Sequence, residues 1–271
     1  MRINCIPRPD EPAAIRYAYD LARTLQADGH DVWVDYADEG APYPEGTAHE
    51  RERPELAVIV GGDGSVLHAV RHITPQVPLI GINFGRVGFL TDLEATQAPA
   101  FLRRIAREGF AVEERMRIRL SVDGKNMGDA LNEAVIVTER PAKMLKFAVM
   151  VDGIAAETFR SDGIILATPT GSTAYAMSAG GPIIDPRIRG YLLVPLAPYM
   201  LSSRPHLISA DRSLGIGFES DKPASLVLDG QQVGELGDGA IVRVEESPEP
   251  ALFVDGGESF FTKVDRKLRR L

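Results

Sequence analysis

Three glycines and a carboxylate stand together in Gly61-Gly62-Asp63-Gly64-Ser65, directly after the apolar run Leu56-Ala57-Val58-Ile59-Val60. A wholly apolar run of that length suits a buried parallel strand. The carboxyl end of such a strand is where α/β folds bind ligands. Glycines let the backbone turn tightly and approach a phosphate chain closely. A helix starting just beyond would aim free N–H groups and the positive end of its dipole at the anion. The loop lacks the Lys-Ser/Thr ending of a Walker A motif and the third glycine of G-x-G-x-x-G. Asp63 is the informative residue, because a carboxylate inside a phosphate loop repels its ligand unless it has a task. Two tasks fit: holding Mg²⁺, or accepting a proton from an attacking hydroxyl. On this motif alone, a plain glycine turn with a solvated Asp63 stands level with them.

Three further segments carry polar chemistry. Gly81-Ile-Asn-Phe-Gly-Arg-Val-Gly-Phe-Leu90 is a second glycine-punctuated strand exit. There Asn83 can hydrogen-bond a ribose or a backbone, and Phe84 and Phe89 can stack on a base or, the commoner fate, pack in a core. Asn132-Glu133 opens a strand; an adjacent amide and carboxylate suit a diol such as ribose, or simply mark a polar strand start. In Arg160-Ser-Asp-Gly-Ile-Ile-Leu-Ala-Thr-Pro-Thr-Gly-Ser-Thr-Ala-Tyr175 an apolar strand runs into a hydroxyl-rich turn and then a helix start. That turn suits a polar or anionic ligand or is an ordinary Ser/Thr cap, and Arg160 could clamp a phosphate. There is no H-E-x-x-H and no G-x-S-x-G. His68 and His72 are one turn apart, but no acid lies between them as in a zincin, which makes them structural or peripheral.

The elements that must position these residues change character along the chain. Residues 11–27 form a helix with Ile15, Ala18, Tyr19, Ala22 and Leu25 on one face, ended by Asp28-Gly29. Strands follow over Asp31–Tyr36, Leu56–Val60 and Val77–Asn83, with helices over Val66–His72 and Pro99–Glu108 and a polar loop over 38–55. This alternation predicts a doubly wound, mostly parallel sheet. From about Arg115 helical periodicity fades. Strands are expected over Arg117–Val122, Ala134–Thr138, Lys146–Val151, Ile164–Ala167, Ala224–Leu228 and Ile241–Val244, with one helical segment near Ser172–Ala179. Asp-Gly pairs at 123, 152, 162, 229 and 238 read as turns. The second half is therefore expected to be an antiparallel β domain.

The 271 residues leave room for one large or two modest domains, and 44% apolar with 25% charged residues is ordinary for a folded chain. No apolar run reaches bilayer length, and the N-terminus turns polar too early for a secretory signal. A lone Cys5 excludes a disulfide framework and a cysteine metal cluster. With no Asn-x-Ser/Thr acceptor either, the expected compartment is the cytoplasm. A net charge of −8 argues against nucleic acid. The basic tail (Lys263, Arg266, Lys267, Arg269 and Arg270) reads as a surface helix docked through Phe261, Val264, Leu268 and Leu271, its charges solvated.

The four polar motifs, in this order and at about this spacing, resemble the NAD kinases, and Leu201-Ser-Ser-Arg-Pro205 resembles a further segment of that family. The resemblance spans roughly residues 56–257. It implies an α/β domain over 1–114, a β-rich NAD-binding domain over 115–253, and a segment 254–271 that returns to the first domain. It implies a site between the domains, shared across a homo-oligomer (dimer or tetramer), and no membrane partner. The short N-terminal segment implies no regulatory extension. The expected reaction is phosphorylation of the 2′-hydroxyl of NAD's adenosine ribose, giving NADP, with ATP or polyphosphate as donor and Mg²⁺ or another divalent metal, whose protein ligands stay unassigned. Asp63 matches the group that orients or deprotonates that hydroxyl; because aspartate is a weak base, orientation is its chief part. Gly62 and Gly64 match phosphate contacts, Asn132 and Glu133 the ribose pair, and Phe89 an aromatic near the adenine. Arg160 matches a phosphate contact and Asp162 an acid near the nicotinamide. Thr170, Thr173, Ala174 and Tyr175 match the turn that wraps the dinucleotide, and Asp229 and Gln231 a late contact segment. Two positions depart from the pattern: Ser65 stands where Thr is usual, which keeps a hydroxyl, and Tyr199 where His is common. A lipid or sphingoid kinase shares the glycine–aspartate loop but would need an apolar acceptor pocket. A non-catalytic dinucleotide-binding regulator would gain nothing from Asp63.

Overall fold

Short apolar runs stopped by glycine, proline or a charged turn build the central strands in this computed structural model, which describes residues 1–35, 53–85, 88–139, 144–200, 202–220 and 223–268. In chain order the first are β1 (Arg2–Pro7), α1 (Pro12–Ala27), β2 (Asp31–Val34), β3 (Leu56–Gly61), α2 (Asp63–His72), β4 (Leu79–Asn83), β5 (Thr91–Glu94), α3 (Ala98–Glu108) and β6 (Val112–Arg115). An almost purely β stretch follows: β7 (Ile118–Val122), β8 (Lys125–Ala130), β9 (Glu133–Thr138), β10 (Leu145–Val151), β11 (Ile154–Ser161), β12 (Gly163–Ala167), a 3-10 turn at Thr170–Thr173, α4 (Tyr175–Ser178), β13 (Gly190–Leu196), β14 (His206–Ser209), β15 (Leu214–Glu219), β16 (Ala224–Leu228), β17 (Gln231–Leu236) and β18 (Ile241–Glu246). The chain closes with β19 (Ala251–Val254) and α5 (Phe260–Leu268). Two units result, one of Met1–Glu114 with Ala251–Leu271, the other of Arg115–Pro250. Among the described residues no helix is long and apolar enough to cross a membrane.

In the first unit the sheet runs β2-β1-β3-β4-β19-β6, with β5 also on β4. β1 pairs in parallel with both β2 and β3, and β3, β5 and β19 pair in parallel with β4. β1 leads by way of α1 to β2 on one side, and the chain then returns to place β3 on the other. The switch point of this doubly wound sheet therefore lies between the carboxyl ends of β1 and β3, where ligands bind in such folds. All six residues of β3 are buried, as the apolar run required. α1 packs through Ala14, Ala18, Leu21, Ala22 and Leu25, whereas Tyr19 is exposed and Ile15 only partly covered. The buried stripe is rotated from the expected one because Ala14, Ala18 and Ala22 form an i, i+4 ridge that lets the helix approach the sheet closely.

The second unit holds two antiparallel sheets, β11-β10-β15-β18-β7-β8 and β14-β13-β12-β9-β16-β17. Ile118, Leu120, Phe147, Ile216 and Phe218 of the first pack with Ile136, Ile164, Leu166, Tyr191 and Leu226 of the second in one core. The second sheet's other face, through Val135, Ile165, Ala167, Leu192 and Val194, is covered by Ala176 and Ile184. Asp123-Gly124, Asp152-Gly153 and Asp229-Gly230 have positive φ at both residues, and close the hairpins β7–β8, β10–β11 and β16–β17. Asp162-Gly163 is not such a turn. Gly163 opens β12, and a Cβ there would lie 2.5 Å from the Ile136 carbonyl oxygen, so the glycine serves close strand packing. Strands β8, β11, β13, β14, β15 and β17 were not expected from local pattern, nor were β1, β5, β6 and β19 of the first unit; cross-strand pairing makes them.

Candidate functional site

The glycine loop sits at the switch point. Gly61 ends β3, and the Arg8 N–H, just past β1, donates to the Val60 carbonyl at 2.8 Å. A Cβ at Gly61 would lie 2.3 Å from Ser65 Oγ, so only glycine allows α2 to start this tightly. α2 begins at Asp63, three residues before Val66, where apolar periodicity had placed it. Asp63 is thus a first-turn carboxylate, not a solvated loop acid. Its oxygens accept the Phe89 N–H at 2.5 Å and the Leu90 N–H at 2.9 Å, with the Thr91 hydroxyl at 3.4 Å. A carboxylate has about four lone-pair positions, so one acceptor position is left. Gly88 makes this strap possible, because a Cβ there would stand 2.0 Å from Asp63 Oδ1. Phe84 takes the core alternative, its ring 4.9 Å from that of Tyr17. Asn83 Oδ1 is buried with no hydrogen-bond partner among the described residues.

The C-terminal helix reverses the expected reading. Its large apolar residues Phe261 and Leu268 are exposed, while Lys263, Val264 and Lys267 are buried. Lys263 Nζ pairs with Asp92 Oδ2 at 2.5 Å. Lys267 Nζ lies 4.7 Å above the Phe89 ring, and burial pulls its pKa down against the opposing charges of Asp63 and Asp92. The helix turns its basic face inward because acidic side chains and an aromatic ring await it there, which amphipathic spacing alone does not reveal. Leu271, Arg269 and Arg270 lie outside the described residues, as do Tyr36, most of the 38–55 loop, Arg86, Val87 and Leu201 of the Leu201–Pro205 segment.

In the second unit one end of the second sheet collects the other motifs. Thr168 donates its N–H to the Asn132 carbonyl at 2.8 Å and its hydroxyl to the Leu131 carbonyl at 2.5 Å, locking the hydroxyl-rich turn onto Asn132-Glu133. A Cβ at Gly171 would lie 2.0 Å from the Asn132 carbonyl oxygen, so glycine sets this approach too. The Asp229 carboxylate accepts the N–H groups of Leu131 at 2.7 Å, Asn132 at 2.7 Å and Glu133 at 3.1 Å. Asp229 and the hairpin turn it opens thereby fix the backbone of the Asn-Glu pair. Burial, then the neighbouring Asp229 charge, push the Glu133 carboxyl up to about 7, against the Tyr175 N–H that it accepts. Burial also raises Asp229, against those three N–H groups. Glu133 Oε2 and Thr170 Oγ1 are both buried and unpartnered among the described residues. Polar atoms stripped of water without a partner are costly, and here they converge beside Asn132. Thr173 is buried, Ala174 partly so, and the Tyr175 side chain and Gln231 are exposed at the same end.

Arg160 and Asp162 are not brought to this cluster. Asp162 precedes β12 and Ala167 ends it opposite Glu133, a separation of about 17 Å at ~3.3 Å per residue. Arg160 is exposed, its carbonyl accepting the Tyr199 N–H at 2.9 Å. Sequence reading passed over Arg8, whose Cβ lies 3.2 Å from the Cβ position at Gly61 and whose guanidinium is held by Asp10. It also passed over Thr91, gave Gly88 no part of its own, and expected Lys267, which is buried, to be solvated. His68 and His72 stack at 4.1 Å, and no group of three or more metal-ligating side chains occurs among the described residues.

Two models of one protein family match the chain. Residues 3–110 match the ATP-NAD kinase N-terminal domain and residues 131–256 the ATP-NAD kinase C-terminal domain. The chain is 55% identical over its full length to a protein named NAD kinase of Methanoculleus marisnigri, and 52% to one of Methanoregula boonei, covering 100% of each. Its structure superposes on that of an NAD kinase from Archaeoglobus fulgidus in complex with ATP, with a TM-score of 0.83, 31% identity and complete coverage of both chains. A yeast NADH kinase complexed with NADH, at 22% identity, shares the fold with a TM-score of 0.87 over 100% of this chain and 88% of its own. Full-length identity above half, both halves of the family pattern and the Asp63-bearing glycine loop at the switch point together place this chain in the NAD kinase family, as an enzyme of the kinase class.

Proposed function

We propose that the enzyme phosphorylates the 2′-hydroxyl of NAD's adenosine ribose to give NADP, with ATP or polyphosphate as donor. The observation that carries this reading is Asp63, pinned at the first turn of α2 with one acceptor position open. Phosphoryl transfer needs positioning and charge neutralisation more than covalent chemistry. The N–H groups at Gly62 and Gly64 and the N-terminus of α2 receive the donor's phosphates. Asp63 accepts the 2′-hydroxyl proton in a hydrogen bond and aims its oxygen in line. Its rigid seat fits an orienting role, with proton loss late in the transfer.

The second unit supplies recognition of the nucleoside. Asn132 and Glu133 bind the adenosine ribose, the unpartnered Glu133 Oε2 being free to accept from a ribose hydroxyl. Thr170, Thr173, Ala174 and Tyr175 wrap the dinucleotide, and Gln231 borders it. Phe89 serves the adenine edge through the face that Lys267 does not cover. Arg160 and Asp162, at the far end of β12, serve the dinucleotide bound by a second copy of the chain, which makes the active form a homo-oligomer. Magnesium is a small ion that keeps several waters and is held largely by substrate phosphates. Such an ion would enter with the donor, held by its phosphates and by water. When bound, it neutralises charge on the transferring phosphoryl group.

The test is NADP formation from NAD and Mg²⁺, with ATP and polyphosphate in parallel, read by a coupled NADP-specific dehydrogenase. Phe89 and Leu90 donate to different oxygens of Asp63, so Asp63→Asn sets its amide N–H₂ against one of those N–H groups and leaves a weaker, neutral acceptor for the hydroxyl. Turnover should fall by at least about a hundredfold, while NAD binding by the second unit persists. Near-wild-type turnover of Asp63→Asn would overturn the assignment. Absence of product with both donors, from folded protein that binds NAD, would overturn the reaction.

A further inference from the structure

A carboxylate within a phosphate loop raises an electrostatic problem that the glycine loop does not solve. Asp63 stands at the point where the donor's phosphates must arrive, and like charges repel there. The loop itself offers only N–H groups and a helix terminus. Arg8, beside Gly61, is held by Asp10, and α5 buries two further basic side chains, Lys263 and Lys267. Lys263 is committed to Asp92 at 2.5 Å. Lys267 is 4% exposed, and its Nζ has no hydrogen-bond partner among the described residues. It is clamped 4.7 Å above Phe89, the residue whose N–H holds Asp63. The charges that face it are Asp63 from α2, Asp92 from β5, and Lys263 and Arg266 from its own helix. A buried ammonium without an acceptor is destabilising, so the fold does not place one here for its own stability.

We infer that Lys267 is a positioning residue of the phosphoryl-transfer site, whose buried ammonium offsets the charge of Asp63 so that donor phosphates can bind beside it. It acts through Asp63 and the Phe89–Thr91 strap and does not itself touch the donor. A cation held on an aromatic face is fixed in place, and a fixed charge in a water-poor site needs no rearrangement when the ligand arrives. This inference rests on the proposed reaction, and it assigns to the C-terminal helix a part in that reaction.

Lys267→Met keeps the apolar stem over Phe89 and removes the charge; Lys267→Arg keeps the charge. The full-length enzyme is assayed for NADP formation with ATP and Mg²⁺, or with polyphosphate if that is the working donor. The Lys267→Met variant should raise the donor KM about tenfold and lower kcat by up to about a hundredfold, leaving the KM for NAD within about twofold. Its thermal midpoint should equal or exceed the wild-type value, because an uncompensated buried charge has been removed. Lys267→Arg should recover most of the donor KM. In equilibrium titrations with ATP and Mg²⁺, combining Lys267→Met with Asp63→Asn should relieve the binding loss, since the repelling carboxylate is gone. A purely structural lysine would instead lower the thermal midpoint and impair both substrates alike, which would overturn the inference. Unchanged kinetics of Lys267→Met against an active wild type would overturn it equally. If the wild type makes no NADP from either donor, the reaction assignment fails first and this inference falls with it.

Discussion

Replacing Gly88 with alanine adds one methyl group and tests whether the seat of Asp63 sets the rate. The new Cβ would stand 2.0 Å from Asp63 Oδ1, 2.5 Å from its Cγ and 2.8 Å from Thr91 Oγ1. Ordinary contact begins near 3.4 Å, so the carboxylate and the strap must separate by 3.4 − 2.0, about 1.4 Å. A shift of that size breaks the 2.5 Å and 2.9 Å bonds from the Phe89 and Leu90 N–H groups. Hydrogen bonds to a charged group contribute about 1.5–3 kcal/mol each. Because Asp63 is partly exposed, water recovers part of that loss. The net cost in stability should therefore resemble other overpacked sites, about 1–3 kcal/mol, or a drop of roughly 2–10 °C in thermal midpoint. The rate should suffer more, because an error of about 1 Å in placing a reacting group costs around a hundredfold. The assay is kcat for NADP formation at saturating substrates, on protein whose thermal unfolding is measured in parallel. Gly237→Ala, where a Cβ meets nothing within 4 Å, is the control and should leave both quantities unchanged. A Gly88→Ala enzyme with wild-type kcat would refute the argument that the Phe89–Thr91 strap positions Asp63.

Two further outcomes follow from the second unit. The Glu133 carboxyl is raised from 4.5 to about 7 in the folded protein, so the folded state holds its proton more tightly than the unfolded chain, and stability is lost as pH rises from about 4.5 through 7. The shift corresponds to about 3 kcal/mol at 1.36 kcal/mol per unit. Denaturant unfolding at pH 5, 6, 7 and 8 should show that decline in the wild type and a flatter profile in Glu133→Gln; parallel profiles would mean that Glu133 does not titrate in this range. Gly171→Ala forces a methyl group to within 2.0 Å of the Asn132 carbonyl oxygen, a backbone atom that cannot yield cheaply. It should destabilise this unit by about 1–3 kcal/mol and raise the KM for NAD more than that for the donor; an unchanged KM for NAD would separate the turn from recognition.

Much of this protein is written in local sequence. The apolar run Leu56–Val60 became a wholly buried strand because β-branched residues stopped by two glycines have few other fates. The Asp-Gly pairs at 123, 152 and 229 made hairpins because both residues tolerate positive φ. The change of texture near Arg115 marked the passage from alternating helix and strand to antiparallel sheets, since periodicity is a property of neighbouring residues. The glycine–aspartate loop and the Asn-Glu pair were visible as chemistry for the same reason. What neighbours in sequence do not encode was settled by contacts across the fold. Asp162-Gly163 looks like the other turns, yet Gly163 is glycine because the Ile136 carbonyl lies against it. Asp229 reaches back 96 residues to the Glu133 N–H and fixes the Asn-Glu pair from a distant hairpin. Lys267 follows a basic, amphipathic spacing that favours a solvated surface. It is buried instead because only the folded chain brings Phe89, Asp63 and Asp92 beneath it, and the pull of opposite charge on a buried group depends on distance in space, not along the chain.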